Sequence, residues 1–480
     1  MTNTYGNYIN GEWVNGPTFE NRNPADTGEL VGLFTKGSAS DITSAAEAAA
    51  AALPAWSSMP APARGALLFR VADIIEQNLD QYAAEMTREE GKTLPESKGE
   101  VRRSVNIFRY FAAEGARLNG VQSPSERERV HTYAFRRPLG VVGLITPWNF
   151  PSAIPAWKLA PALICGNTVV LKPASLAPLS AWRIVEACHK AGIPKGVVNF
   201  VAGSGGELGE ALVNAEPIRA VSFTGSNSVG QWLHERASKR RLRIQLEMGG
   251  KNPTIVLADA DMNAAVENVA NAAFFSTGQK CTATSRAIIE DSIYDRFLDA
   301  LIERTKRLKV GNGMEPGVEI GPAVDESQLK TDLKYIDIGR KEAGEPRVGG
   351  RRLTGGAYDK GYFVEPTIFA GVTENMTIAQ EEIFGPVLAV MRARDFEDAM
   401  RLANATRLGL CASIQTTNVS RVFEFLHGMQ AGLLTVNLPS AGVEYQLPFG
   451  GTKESSFGPK EQGPAALDFY SDYKTVYLRY

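Results

Sequence analysis

From residue 141 onward the chain alternates short apolar runs with stretches of helical composition, and that rhythm restricts its fold more than any other feature. VVGLIT, TVVLKP, VVNFVA, AVSFTG and TIVLAD follow one another with helix-length segments between them. Strands joined through helices pair in parallel, and strands that are apolar on both sides are buried on both faces. After about residue 250 a second series begins with TIVLADAD and continues through SRAIIEDS, GYFVEPTIF, FGPVLAVMRA, GLCASIQTT and GLLTVN. The expected class is therefore α/β, with two α/β units and a site between them. A length of 480 residues accommodates roughly two to four domains.

Upstream, residues 61–91 and 92–117 are predicted to be helical, with Leu67, Leu68, Val71, Ile74 and Ile75 at helical spacing. Two segments stand apart. HTYAFRRPLG near residue 131 and DYKTVYLRY at the end of the chain read as lone strands, which pair either with each other or with another subunit.

Charge and cysteine usage exclude several classes. A formal net charge of −2 gives no reason to expect nucleic acid or an anionic membrane as partner. The densest basic run, Lys239 to Arg243, is short and suits a solvated helix end. Cys165, Cys188, Cys281 and Cys411 are widely spaced with no CxxC pair, which argues against a disulfide scaffold or zinc site and for a reducing compartment. No metal is expected. The start of the chain lacks the basic-then-apolar pattern of a signal peptide, and no apolar run approaches bilayer length, so a cytoplasmic protein is expected.

Within this frame, STGQKCTATSR places Cys281 among Gly278, Gln279, Lys280, Thr282, Thr284 and Ser285. Inert structural cysteines sit among apolar neighbours, whereas this polar loop suits a reactive thiol, and the adjacent Lys280 ammonium is expected to favour the thiolate. FTGSNSVG could hold a pyrophosphate at a helix N-terminus through Gly225, Ser226 and Gly230, or serve only as a strand–turn–helix cap, since it departs from the dinucleotide glycine pattern. LKPAS presents Lys172 at a strand's carboxyl end, as a ligand group or a plain surface lysine. LEMGGKNP sets Glu247 beside paired glycines, either a desolvated general base or a salt-bridged structural carboxylate. TPWNFP puts Asn149 in a rigid turn, where its amide could donate to an oxyanion or simply form the turn.

Together with EEIFGP and PFGGTKESSFG, these runs occur in an order that closely resembles the aldehyde dehydrogenase superfamily over nearly the whole chain. The resemblance implies a Rossmann-like cofactor domain (residues 1–121 and 139–248), a second α/β catalytic domain (249–450), and a small β oligomerisation extension (122–138 and 451–480). It implies a homodimer or homotetramer acting on a small-molecule aldehyde with NADP and/or NAD. Cys281 would be the nucleophile, with Asn149 and the Cys281 N–H holding the oxyanion. Glu247 would activate the hydrolytic water, and Lys158 and Glu461 would relay its proton. Thr146, Pro147, Trp148, Lys172, Ser175, Gly225, Ser226, Gly230, Glu382 and Phe384 would hold the cofactor. Ser175 stands where NAD-restricted members commonly carry a glutamate, so NADP is expected to be accepted.

The resemblance also bears on substrate. Relatives that oxidise succinic semialdehyde usually grip its carboxylate with two arginines, and Trp157 and Phe275 occupy those positions here. GQKCTATSR and NLPSAGVEYQLPFGGTKESSFGPKEQG are similar instead to the branch acting on α-ketoglutaric semialdehyde (2,5-dioxopentanoate) in sugar-acid and hydroxyproline breakdown. Lys280, Ser440 and Gln446 are candidate donors to such a substrate. The alternative is a broad-range enzyme with an aromatic pocket of Phe150, Trp157, Phe275 and Phe449. A thiol hydrolase is disfavoured because His131, His189, His234 and His427 lack a recognisable partner motif. A non-catalytic homologue would be expected to have lost Cys281, Asn149 or Glu247. A coenzyme-A-acylating relative typically lacks the base glutamate.

Overall fold

In the computed structural model, which describes residues 3–480, two large, mainly parallel sheets carry the fold, and two three-stranded sheets and a two-stranded one lie outside them. The first sheet has eight strands. Its centre runs Arg243–Glu247, Ile218–Thr224, Val141–Ile145, Thr168–Lys172 and Val198–Phe200, all parallel. Antiparallel edges close it: Ser456–Phe457 on one side, and Asn7–Ile9 with Glu12–Val14 on the other. Every residue of Val141–Ile145 and Thr168–Lys172 is buried, as continuous apolar runs require when helices cover both faces.

The second sheet has six parallel strands in the order Thr367–Phe369, Val387–Ala393, Thr284–Glu290, Asn252–Val256, Cys411–Gln415 and Leu433–Val436. GYFVEPTIF supplies only its last three residues as strand, because Pro366 has no N–H to give a ladder. The two sheets are joined through Met248–Lys251, which links the end of Arg243–Glu247 to the start of Asn252–Val256.

Helices differ from the sequence expectation in two places. Residues 61–91 form two helices, Ala61–Gln77 and Leu79–Glu90, because the Asn78 amide folds back onto the Ile74 carbonyl at 2.8 Å. A further helix, Ala39–Ser58, starts at a reciprocal cap between Ser38 and Asp41. It buries mostly alanines and so has little large-residue periodicity. The long helix Leu94–Glu114 opens on a second such cap, Thr93 with Glu96.

The two lone strands pair with each other. Ser471–Arg479 runs antiparallel to Val130–Pro138 from Ser471↔Pro138 to Arg479↔Val130, and Val121–Ser123 adds a third strand. The stretch 451–480 therefore divides. Residues 456–457 pair with the first sheet, Glu461 reaches its interior, and Ser471–Arg479 forms the outer strand.

Candidate active site

Ligands of open parallel sheets bind beyond the carboxyl ends of strands where the chain order reverses. In the first sheet that point lies between Val141–Ile145 and Ile218–Thr224. The turns leaving these strands, Thr146–Asn149 and Gly225–Ser226, meet the loop bearing Cys281 there. A cavity of about 230 Å³ is walled by Pro147, Trp148, Asn149, Gly225, Ser226 and Cys281, and also by Gln328, Glu382 and Phe384. A second, of about 250 Å³, is walled by Phe150, Trp157, Lys280, Cys281 and Phe449 together with Glu96, Glu100 and Arg103. Cys281 belongs to both.

The Cys281 loop is held by its backbone. Ser276, Thr277 and Gly278 are consecutively left-handed, with φ of 55°, 58° and 67°. Each of the first two stores roughly 1–2 kcal/mol of strain. Gly278 is required as well, since an added Cβ would lie 2.3 Å from the Gly385 carbonyl oxygen. Ser440, expected as a substrate donor, is committed beneath this loop, where its hydroxyl donates to the Thr282 carbonyl at 2.7 Å.

Lys280 does not hold the neighbouring thiol as a thiolate, contrary to what sequence adjacency suggests. Its ammonium turns away to the Asn271 carbonyl, 3.3 Å off, and burial brings it down to about 8. Cys281 keeps a face on both cavities, but its sulfur lies deep among protein atoms. Burial, with the Glu382 and Glu247 carboxylates adding to it, pushes the thiol up to about 12. At neutral pH the resting residue is therefore a thiol.

Asn149 is buried, and its backbone carbonyl accepts from Lys92 Nζ at 2.6 Å. One amide N–H donates to the Gln279 carbonyl at 3.0 Å, which leaves the other N–H on the cavity side. Glu247 is buried without an ion-pair partner among the described residues; Ser456 Oγ donates to Oε2, and Oε1 has no partner. Burial raises its carboxyl well above the usual range, and the Glu461 charge adds to the shift. Glu461 pairs with Lys158, whose Nζ also donates to Ser222 Oγ at 2.7 Å.

On the dinucleotide side, Thr146 Oγ1 and Thr224 Oγ1 are buried without partners. Lys172 is buried with no counter-ion among the described residues, and burial lowers it to about 8. Ser175 lies beyond the same strand and donates to the Gly203 carbonyl at 2.9 Å. Lys172 and Ser175 lie outside the 230 Å³ cavity. Ser226 caps the helix Asn227–Arg240, and Gly230 lets that helix close on Met248, whose sulfur would be 2.3 Å from an added Cβ. Gly249 serves likewise for Glu382, because a Cβ there would fall 1.9 Å from Glu382 Oε2. The Glu382 carboxylate accepts from the Gly250 N–H at 3.0 Å, and Phe384 meets Trp148 edge-on at 5.5 Å. Unpartnered hydroxyls, a free cation and a capped helix start suit a nicotinamide dinucleotide.

Phe275 and Gln446 lie outside the second cavity, as Ser440 does. Phe275 packs against the core of the second unit, and Gln446 is exposed with its amide on Glu444. The sequence reading missed Arg103, Glu96 and Glu100. They sit at helical spacing on one face of Leu94–Glu114, and that spacing was the available signal.

Two helix-covered α/β sheets with one thiol, Cys281, lining two adjacent cavities have the layout of an α/β enzyme. The chain belongs to the aldehyde dehydrogenase family, whose sequence profile matches residues 13–476. It is similar to the α-ketoglutaric semialdehyde dehydrogenase of Bacillus subtilis, at 48% identity over 99% of this chain and 98% of that protein. The α-ketoglutarate semialdehyde dehydrogenase of Haloferax volcanii is 44% identical, with 100% of both chains covered. Among solved structures, the NAD+ complex of a Bacillus cereus aldehyde dehydrogenase superposes with a TM-score of 0.96 at 35% identity, covering 99% of this chain and 97% of that one. No helix of the described residues is long and apolar enough to cross a membrane.

Proposed function

We propose that the protein oxidises α-ketoglutaric semialdehyde to 2-oxoglutarate with NAD or NADP, through a thioester on Cys281. The observation that carries this reading is the thiol shared by two cavities, one suited to a dinucleotide and one to an aldehyde. The full-length similarity to two enzymes named for this semialdehyde supports the substrate.

In this reading the ionised Glu247 carboxylate takes the Cys281 thiol proton and passes it on to Lys158 and Glu461, Sγ adds to the aldehyde carbon, and the resulting oxyanion takes hydrogen bonds from the free Asn149 N–H and the Cys281 backbone N–H. Each such donor contributes about 3–4 kcal/mol in comparable sites. The dinucleotide, when bound, supplies the hydride acceptor. Glu382 would hold its nicotinamide end, Ser226 and the helix start its phosphates, and Lys172 its adenosine ribose. Loss of hydride leaves an acyl group on Cys281. Glu247, through its unpartnered Oε1, takes a proton from water, which attacks the thioester carbon and releases the acid and the thiol. Lys158 and Glu461 pass that proton onward. A base able to activate water favours hydrolysis over transfer to coenzyme A.

The extension supports a homodimer or homotetramer, since Ser471–Arg479 is an edge strand with Tyr477 and Leu478 exposed. Four free cysteines support a reducing, cytoplasmic setting.

The test is a comparison of kcat/KM for α-ketoglutaric, succinic and glutaric semialdehydes, benzaldehyde and hexanal, without coenzyme A. A polar site rejects analogues lacking its partner groups by more than the ~1–3 kcal/mol of one methylene. Equal efficiency on hexanal contradicts the proposal.

A further inference from the structure

The aldehyde cavity is mostly aromatic and apolar, and four charged side chains interrupt its wall: Glu96, Glu100, Lys280 and Arg103. Three of them are committed elsewhere. Glu96 accepts from Ser276 Oγ at 2.9 Å and from the Thr93 hydroxyl and N–H. Glu100 accepts from Lys92 Nζ at 2.6 Å and from the Ser152 and Ala153 N–H groups. Lys280 is turned onto the Asn271 carbonyl.

Arg103 is different. Its guanidinium makes one hydrogen bond, a 3.3 Å contact from Nη2 to Gln462 Oε1, and its Nε is buried without a partner. No carboxylate stands within ion-pair distance of it among the described residues, although Glu100 is one helical turn away. The guanidinium lies 5.9 Å from the Trp157 ring, which limits its orientation. A half-buried guanidinium with unused donors at the wall of a cavity is a socket for a planar anion, because its parallel N–H groups match the two oxygens of a carboxylate.

We infer that Arg103 binds the distal carboxylate of the aldehyde substrate and so sets the enzyme's preference for ω-carboxylated aldehydes. The inference rests on the proposed semialdehyde reading and gives its carboxylate a partner. Gln462 holds the guanidinium from behind, and the aromatic wall carries the chain between carboxylate and aldehyde.

The test uses glutaric semialdehyde and pentanal, which match in chain length, lack the ketone and differ in the carboxylate. The wild-type enzyme is expected to favour glutaric semialdehyde. Arg103→Met is expected to lose that preference by about a hundredfold, chiefly through KM, while pentanal oxidation stays within about threefold. Arg103→Lys is expected to recover part of the preference and to make it more sensitive to salt. Should Arg103→Met fail to fold, the same comparison on Arg103→Gln and Arg103→Lys decides. The inference is overturned if both substrates fall together, if neither falls, or if the wild type does not distinguish them. Failure of the substrate reading is separable: it would appear as indifference of the wild type between α-ketoglutaric and glutaric semialdehydes, with the Arg103 effect on carboxylated substrates intact.

Discussion

Lys158 and Glu461, 303 residues apart in sequence, form an ion pair with almost no exposed surface, and Glu461 Oε2 is left without a partner. The Glu461 charge helps hold the Glu247 carboxyl above its usual range. Glu461→Gln removes that charge, so Glu247 should ionise at lower pH and the acidic limb of thioester hydrolysis should move down. Breaking a buried pair also costs about 3–5 kcal/mol of stability, readable by denaturant unfolding. A pre-steady-state pH profile with an unmoved acidic limb would contradict the coupling.

The second prediction concerns the cofactor. Ser175 puts no negative charge near Lys172, and Lys172 has no counter-ion among the described residues, so NADP should be used along with NAD. Discrimination against NADP beyond about a hundredfold in kcat/KM, ~2.7 kcal/mol, would be inconsistent with this. Burial lowers Lys172 to about 8, so its ammonium is present below that pH and lost above it. The NADP-to-NAD ratio should therefore fall as pH rises from neutral through about 8 toward 9, by up to about tenfold per unit. A flat ratio would remove Lys172 from 2′-phosphate recognition.

A third expectation follows from the thiol. With Cys281 pushed up to about 12, the fraction of thiolate at a given pH is smaller than for an ordinary cysteine. Iodoacetamide alkylation of the cofactor-free enzyme should keep accelerating through pH 10 instead of levelling near 9. A plateau below pH 9, followed by peptide mass mapping of Cys281, would mean that the thiolate is stabilised by a group other than those described.

Assembly is testable at the outer strand. Tyr477 and Leu478 are exposed on Ser471–Arg479, whose free edge invites a second chain. Tyr477→Asp with Leu478→Lys should lower the mass measured by light scattering at micromolar concentration. A wild-type monomer would refute the proposed oligomer.

Much of this architecture was legible because buried parallel strands carry their pattern in consecutive residues. Val141–Ile145 and Thr168–Lys172 need no tertiary information to be recognised. The alanine-rich helix Ala39–Ser58 was not legible, since its contacts with the first sheet rely on small side chains. In the site, Glu247 and Asn149 were readable because glycines and prolines fix the backbone beside them. The Lys280 effect was misjudged because adjacency in sequence says nothing about which way a side chain turns. Arg103 escaped notice because it lies on an ordinary charged helix, and only the packing of that helix against Trp157 and Phe449 makes it a cavity wall.

The central claim is that one cysteine carries the acyl group and one glutamate releases it. The most direct measurement is mass spectrometry of Glu247→Gln quenched after a single turnover with α-ketoglutaric semialdehyde and cofactor, alongside Cys281→Ala. The account predicts an acyl adduct on the peptide containing Cys281, formed with a stoichiometric burst of reduced cofactor, and neither adduct nor burst in Cys281→Ala with cofactor binding retained. An adduct on another residue, or a substantial fraction of wild-type kcat in Cys281→Ala, would contradict it.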